Sequence, residues 1–222
     1  MKIALIGYGK MGHIIEKKAK ERGHEVICII DKDNQQDFDS EAFRNADVAI
    51  EFSTPATAPE NIRRAWQADV PVVCGTTGWL DLLSTLQEEL KNNNKALFYA
   101  SNYSIGVNLF FALNKYLAKI IGNYSQYKPQ ITEIHHIHKL DAPSGTAISL
   151  AQDINFPKEN IISERRGEVA GTHIVKYESE VDSITITHEA KSREGFALGA
   201  ILAAEFIKGK QGYFTMQDLL NI

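Results

Sequence analysis

The chain has 222 residues, of which 44% are hydrophobic and 23% charged, with a formal net charge of −4 at pH 7. That length can bury one large core or two smaller ones, and the acidic balance offers no field to draw nucleic acid or an acidic membrane surface. The two cysteines form no C-x-x-C pair, and the short apolar start runs straight into glycines. No disulfide scaffold, leader or membrane span is expected from these features, and a reducing, cytoplasmic setting is.

Residues 2–6 are a continuous apolar run, the pattern of a parallel strand buried on both faces. It leads into Gly7-Tyr8-Gly9-Lys10-Met11-Gly12, with the glycines in G-x-G-x-x-G spacing. A helix carrying Met11, Ile14, Ile15 and Ala19 is predicted up to Gly23, and a second strand over 26–30 ends at Asp31. Alone, the glycine pattern is weak, and a plain flavodoxin-like strand–turn–helix is the competing reading. Between a strand and a helix, with an acid ending the next strand, it becomes a dinucleotide fingerprint. Gly7 permits the tight turn, Gly9 admits the pyrophosphate to the backbone, and Gly12 lets the helix pack on the sheet. Asp31 is placed to accept from the ribose hydroxyls, which favours NADH. Lys10 or Lys32 beside a 2′-phosphate would admit NADPH.

Residues 32–44 are polar and short, so a lean connection to the third strand is expected. Strands over 48–52, 70–74 and 96–100 end in Ser53-Thr54-Pro55, Gly75-Thr76-Thr77-Gly78 and Ser101-Asn102-Tyr103-Ser104. Helices with Ile62, Ala65 and Trp66, and then one reaching about residue 90, separate them. Ligands of such sheets bind outside the carboxyl ends of the strands, where these small and hydroxyl-bearing residues fall. Taken alone, the Gly75 turn is equally an ordinary βα turn. Cys28 and Cys74 lie in strand-like runs and read as small buried hydrophobes. An apolar helix over 106–121 leads into a second domain.

A strand over 130–137 carries the most unusual stretch, E-I-H-H-I-H-K-L-D-A-P-S-G-T at residues 133–146. It places three of the seven histidines within four positions, followed at once by Lys139. A helix is predicted from Thr146 to Ile154, so Ser144, Gly145 and Thr146 form its N-terminus, where unpaired N–H groups and the helix dipole favour an anion. Imidazoles and an ammonium beside such a turn suit a carboxylate substrate that gains or loses a proton. Two other readings fit the local pattern: a metal held by His136 and His138 on one strand face, and purely structural histidines. His135 and Lys139 would stand ~13 Å apart in an extended strand, so they share a substrate only if the chain bends. Arg165 and Arg166 follow in a polar segment and read as solvated loop residues. Two alternating strands over 173–178 and 184–188 present an open antiparallel face able to pair with another copy. An alanine-rich helix to Lys208 and a short helix capped by Thr215 and Asp218 return to the first domain.

With G-x-G-x-M-G, E-F-S, G-T-T-G, S-N-Y-S-x-G-V-N and E-x-H-H-x-H-K-x-D-A-P-S-G-T-A in order, the chain resembles the 4-hydroxy-tetrahydrodipicolinate (dihydrodipicolinate) reductases over nearly its whole length. The resemblance implies an α/β fold with a Rossmann-type doubly wound parallel sheet over 1–104 plus 195–222. It also implies an α+β substrate and oligomerisation domain with an open mixed sheet over 105–194. It implies general acid/base chemistry at His135 as imidazolium and Lys139 as ammonium, and substrate-carboxylate contacts at His136, Ser144, Gly145 and Thr146. Contacts to NADH or NADPH fall on Gly7, Tyr8, Gly9, Lys10, Met11, Gly12, Asp31, Gly75, Thr76, Thr77, Ala100, Ser101, Asn102 and Tyr103. A homotetramer and a dicarboxylate substrate are implied as well; the lysine beside the histidines, with no Cys or second acidic cluster close by, argues against a metal. Lys10 stands where many members carry arginine, and the connection after Asp31 is shorter than usual. The competing readings are another Rossmann oxidoreductase of amino-acid metabolism and a dinucleotide sensor without turnover.

Overall fold

The computed structural model describes residues Met1–Ile222, which form two compact units: Met1–Ser104 with Phe196–Ile222, and Ile105–Gly195. In the first, β1 (Lys2–Ile6) is followed by α1 (Lys10–Glu21), β2 (Glu25–Ile30) and α2 (Glu41–Arg44). Then β3 (Val48–Glu51), α3 (Ala58–Gln67), β4 (Val72–Cys74), α4 (Leu83–Asn92) and β5 (Ala96–Tyr99) alternate. The apolar runs become strands buried on both faces because helices cover each side: all residues of β3, β4 and β5 are buried. Each long helix exits through a left-handed residue, Gly23 at φ 77°, Asp69 at 60° and Asn94 at 52°. These residue types adopt that conformation at least cost.

The second unit opens with α5 (Ile105–Ile121), then β6 (Lys128–His135), α6 (Gly145–Asp153), β7 (Ile162–Arg165), β8 (Thr172–Glu178) and β9 (Ser183–Glu189). Its sheet runs β7-β6-β8-β9, with β6 and β7 parallel and the other pairs antiparallel. Phe110 and Ile121 of α5 and Leu150 of α6 join Ile131, Val175 and Tyr177 in one core cluster. Along the buried face the residue type changes. Ile131 pairs across the strands with Val175, and Glu133 with His173. The core is therefore apolar at one end and ionisable at the other. β6 stops two residues short of the expected end, and β7 occupies a segment expected to be loop; its four residues, I-S-E-R, are too few for a readable period.

The chain then returns to the first unit as α7 (Glu194–Ile207), β10 (Gly212–Phe214) and α8 (Met216–Leu220), the last with the Thr215–Asp218 capping box. The three-residue β10 is unheralded in sequence; it pairs in parallel with β5. The parallel sheet reads β10-β5-β4-β3-β1-β2. Common dinucleotide folds place a further strand outside β2. Here the residues after Asp31 form a 3-10 helix (Gln35–Asp39) and α2, which bury Phe38 and Phe43. The lean connection thus leaves β2 at the sheet edge, where only Ile30 is fully buried.

Candidate functional site

In the first unit, Gly7, Gly9, Asp31, Ser53 and Thr54 line a cleft at the carboxyl ends of β1, β2 and β3, where the strand order reverses. Gly7 has φ +89°, and a Cβ there would lie 2.1 Å from the Phe52 carbonyl oxygen. Only glycine fits. A Cβ at Gly12 would meet the Gly7 oxygen at 2.6 Å, whereas one at Gly9 would meet nothing within 4 Å. The space before α1 is therefore open at the residue expected to face the pyrophosphate. Tyr8 hydrogen-bonds Glu16, and its ring lies 4.0 Å from that of His13. Lys10 is exposed and Met11 half-buried in the first turn of α1. Asp31 is exposed with its backbone pinned: its N–H donates to Asn34 Oδ1 at 2.7 Å and its carbonyl accepts from Gln35 Nε2 at 2.8 Å. This rim matches the needs of an adenosine ribose and its phosphates.

The other cofactor candidates fall on the neighbouring strand ends. Gly75 sits against the Phe52 ring, Thr77 is exposed, and Thr76 accepts from the Ser53 N–H at 2.7 Å, tying two turns together. Ala100 is buried, Ser101 exposed and Asn102 half-buried. Tyr103 is 2% exposed and its hydroxyl donates to the Cys74 carbonyl at 2.7 Å. Its side chain braces β4. Beneath these turns Glu51 is fully buried, accepting from Cys74 Sγ at 3.0 Å and contacting Ser53 and Asn61. Cys74 is thus a hydrogen-bond donor as well as a hydrophobe.

In the second unit, Glu133, His135 and His173 are buried at the ionisable end of the core. Glu133 and His135 are two apart on β6 and share a face, with Oε2 and Nδ1 2.5 Å apart. The His135 and His173 rings meet edge to face at 5.1 Å. Gly171, at φ +149°, borders His135: a Cβ there would lie 3.1 Å from Nε2. This glycine keeps room at the ring nitrogen that Glu133 does not touch.

After His135 the chain reverses. The Lys139 N–H donates to the His136 carbonyl at 3.2 Å, and the Ile137 N–H to that of Gly167 at 3.1 Å. Arg165 pins the far side: its guanidinium donates to the carbonyls of Lys139 at 3.3 Å and Asp141 at 2.5 Å. Both terminal nitrogens also reach Glu133 Oε1 at 3.1 Å. Arg165 is a half-buried clamp, not the solvated loop residue expected. The bend brings Lys139 close enough for its charge to act on both His135 and His173, so the extended-strand spacing does not apply. Lys139 Nζ rests on Asp141, at 2.7 and 2.9 Å from its two oxygens.

Ser144 caps α6, its Oγ accepting from the Ala147 N–H at 3.2 Å. The N–H groups of Gly145 and Thr146 have no intrahelical acceptor, and a Cβ at Gly145 would meet nothing within 4 Å. The helix N-terminus is open there. His136 is half-buried with its ring 6.1 Å from that of exposed His138, which pairs with Glu168 at 3.3 Å.

The electrostatics follow from burial. Burial alone would raise the Glu133 carboxyl, but the Ser163 and Ser144 hydroxyls, His135 and Arg165 outweigh it and hold it below the usual value. Burial pushes His135 below its ordinary value against the pull of Glu133, and the charges of Lys139 and Arg165 add to the effect. His173 is pushed down by burial to about 4. The resting His135 is therefore neutral at pH 7, not the imidazolium expected: the cation of this cluster is Lys139. Glu133, His135 and His173 offer donor atoms within 4.8 Å of one another. Arg165 already takes one Glu133 oxygen, and with Lys139 it sets a positive field that opposes a divalent ion there.

Glu133, Asp141, Arg165, Gly171 and His173 were not among the expected site residues. One signal was present for His173: in T-H-I-V-K-Y it alternates with Val175 and Tyr177, so it shares their inward face.

Residues 1–103 match the family model for the N-terminus of dihydrodipicolinate reductase, and residues 106–220 match that for its C-terminus. A 4-hydroxy-tetrahydrodipicolinate reductase from Christiangramia forsetii is 47% identical over all of this chain and 98% of its own length. One from Staphylococcus haemolyticus is 35% identical, covering 99% of this chain and 100% of its own. Among solved structures, a dipicolinate-bound dihydrodipicolinate reductase from Paenisporosarcina sp. TG-14 shares the fold at TM-score 0.78 and 22% identity, over 97% of each chain. An aspartate dehydrogenase from Thermotoga maritima is more distant, at TM-score 0.54 and 14% identity over 95% of this chain and 97% of its own. The chain belongs to the dihydrodipicolinate reductase family.

Proposed function

We propose that the chain reduces 4-hydroxy-tetrahydrodipicolinate to tetrahydrodipicolinate with loss of water, using NADH or NADPH, in the diaminopimelate route to lysine. Family membership over the full length carries the reaction. The joining of Lys139, His135 and the 144–146 turn at one end of the sheet supports the assignment of roles. The loop from Gly7 to Gly12, with Asp31, would hold the dinucleotide, and the turns after β4 and β5 would border it. Held there, a nicotinamide would supply the hydride for the C=C–C=N system left after water departs.

The rest falls to the side chains of the second unit. The open N–H groups of Gly145 and Thr146, with the Ser144 hydroxyl and His136, hold a ring carboxylate and set the ring's orientation. Lys139, released from Asp141 as the dianionic substrate enters, stabilises negative charge and donates a proton to the carbon next to the one that takes the hydride. Glu133 holds the Nδ1 side of His135, leaving Nε2 beside Gly171 to take and return a proton. A neutral His135 suits relay better than initial donation.

The chain has no helix long and apolar enough to cross a membrane, and the proposal places it in the cytoplasm. It also includes a homotetramer formed by the second unit, whose edge strand β9 is mostly exposed and shows Ile184 at 41% exposure. The deciding assay follows the nicotinamide absorbance as protein is added to freshly condensed pyruvate and aspartate semialdehyde, with NADH and NADPH in separate cuvettes. Oxidation that needs both condensation partners supports the reaction. No oxidation by protein shown to bind NADH overturns it.

A further inference from the structure

Ser144 Oγ has two hydrogen-bond partners. It accepts the Ala147 N–H at 3.2 Å and lies 3.1 Å from His173 Nε2, with Glu133 near enough for the hydroxyl to favour its charged form. A hydroxyl has one proton and two acceptor positions. The helix cap fills one acceptor position, so a proton and a single lone pair remain. Which of these meets His173 depends on which ring nitrogen of the histidine carries hydrogen.

The surroundings of His173 decide between the tautomers. The residue is 5% exposed, and its Nδ1 is buried without a partner. A buried N–H with no acceptor forfeits a hydrogen bond that water would have supplied, and such orphans are rarer than bare acceptors. The hydrogen therefore sits on Nε2, where Ser144 can receive it, and Nδ1 stays a lone pair. Held by burial at a pKa of about 4, the ring does not gain the second proton that would blur this choice at neutral pH.

We propose that His173 is a positioning residue for the substrate carboxylate: by donating Nε2–H to Ser144 Oγ it fills the last acceptor position of that hydroxyl and commits the Ser144 proton to an anion. In the complex that anion is the substrate. The other tautomer would draw the Ser144 proton onto His173 and turn lone pairs toward the carboxylate. This inference rests on the reading of the 144–146 turn as the carboxylate site.

The first test is spectroscopic. Long-range proton–nitrogen correlation on the full chain labelled with 15N-histidine, with His173 assigned by the signals lost in H173Q, should show hydrogen on Nε2. Hydrogen on Nδ1 overturns the proposal. The second test is kinetic. H173F removes the donor, while H173Q keeps an N–H at nearly the place of Nε2. KM for the condensed dicarboxylate should rise about tenfold in H173F, the loss of one hydrogen bond to a charged acceptor, with NADH affinity unchanged. H173Q should restore KM to within about twofold of the parent. In S144A the same H173F change should add almost nothing. An equal rise in both backgrounds shows His173 acting elsewhere and overturns the proposal. If S144A itself leaves KM unaltered, the carboxylate reading of the turn fails and takes the proposal with it, whatever the spectrum shows. Should H173F not fold, the spectrum and H173Q decide: a tenfold loss in the soluble H173Q, despite its retained donor, counts against the bond.

Discussion

Replacing Arg165 by methionine keeps the aliphatic stem and removes the fork that holds the site together. Glu133 is fully buried, and its Oε1 receives both terminal nitrogens of Arg165 at 3.1 Å. The same guanidinium holds the carbonyls of Lys139, Asp141 and Glu164. Removing one partner of a buried pair costs about 3–5 kcal/mol. The Arg165 side chain is 20% exposed, so water screens part of that energy, and Glu133 can escape by taking a proton. We expect about 2–4 kcal/mol for the second unit. The sign with pH is fixed: a carboxyl held below its unfolded value contributes in full above that value, and the contribution is lost as pH falls through the folded value. The gap between parent and R165M should be full at pH 7 and close in acid. Hydrogen exchange of residues 128–135 measures it, with about 30- to 700-fold faster exchange expected at pH 7. Trp66 and Trp79 both lie in the first unit, so their fluorescence is the internal control. An increase under about fivefold, or a gap that does not shrink as the pH is taken well below the ordinary glutamate range, refutes the account. Adding E133Q to R165M should recover part of the loss, because no buried charge is left unpaired.

K139A should lower kcat about 10²- to 10⁴-fold while NADH affinity stays constant; a large loss of NADH affinity would move Lys139 out of the proton-transfer role. D31A should weaken NADH about 10- to 100-fold in a fluorescence titration, from loss of hydrogen bonds to a charged acceptor, and NADPH less. Equal NADH binding would mean that the ribose is held elsewhere. G7A brings a Cβ to 2.1 Å from the Phe52 oxygen at φ +89°; it should cost the first unit more than about 2 kcal/mol by tryptophan fluorescence and abolish NADH binding. An unchanged melt would contradict the fit. Burial lowers His135, His173 and His188, so below pH 6.5 the unfolded chain binds more protons than the folded one. Between pH 6.5 and 4 the second unit should lose about 1.4 kcal/mol per pH unit from His173 alone, and H173Q should flatten that slope. A second unit whose urea midpoint does not move over this range would show that these rings are not held neutral.

Much of the fold was legible locally. The strand–glycine loop–helix unit, the strands ending in hydroxyl-bearing turns, the Ser144 cap and the Thr215–Asp218 box each lie within about a dozen contiguous residues, where period and turn chemistry act directly. The short polar stretch after Asp31 was read as a lean connection, and the structure leaves β2 at the sheet edge there. β7 and β10 went unread because four and three residues carry no period, and their pairing with β6 and β5 supplies the order instead.

The candidate site divides along the same line. Sequence alone determined which residue types are available, the helix N-terminus at 144–146, and the clustering of His135, His136 and Lys139. Tertiary structure decided how they work. Sheet register sets His173 opposite Glu133 and places Arg165 beside His135 on the neighbouring strand. The turn held by Arg165 brings Lys139 back toward the histidines. Burial then makes His135 neutral, while the groups gathered around Glu133 keep its carboxyl ionised against burial. Register, burial and charge state depend on groups about 30 residues apart meeting in space, and pairwise energies of a few kcal/mol select that meeting. No stretch of contiguous sequence carries that information.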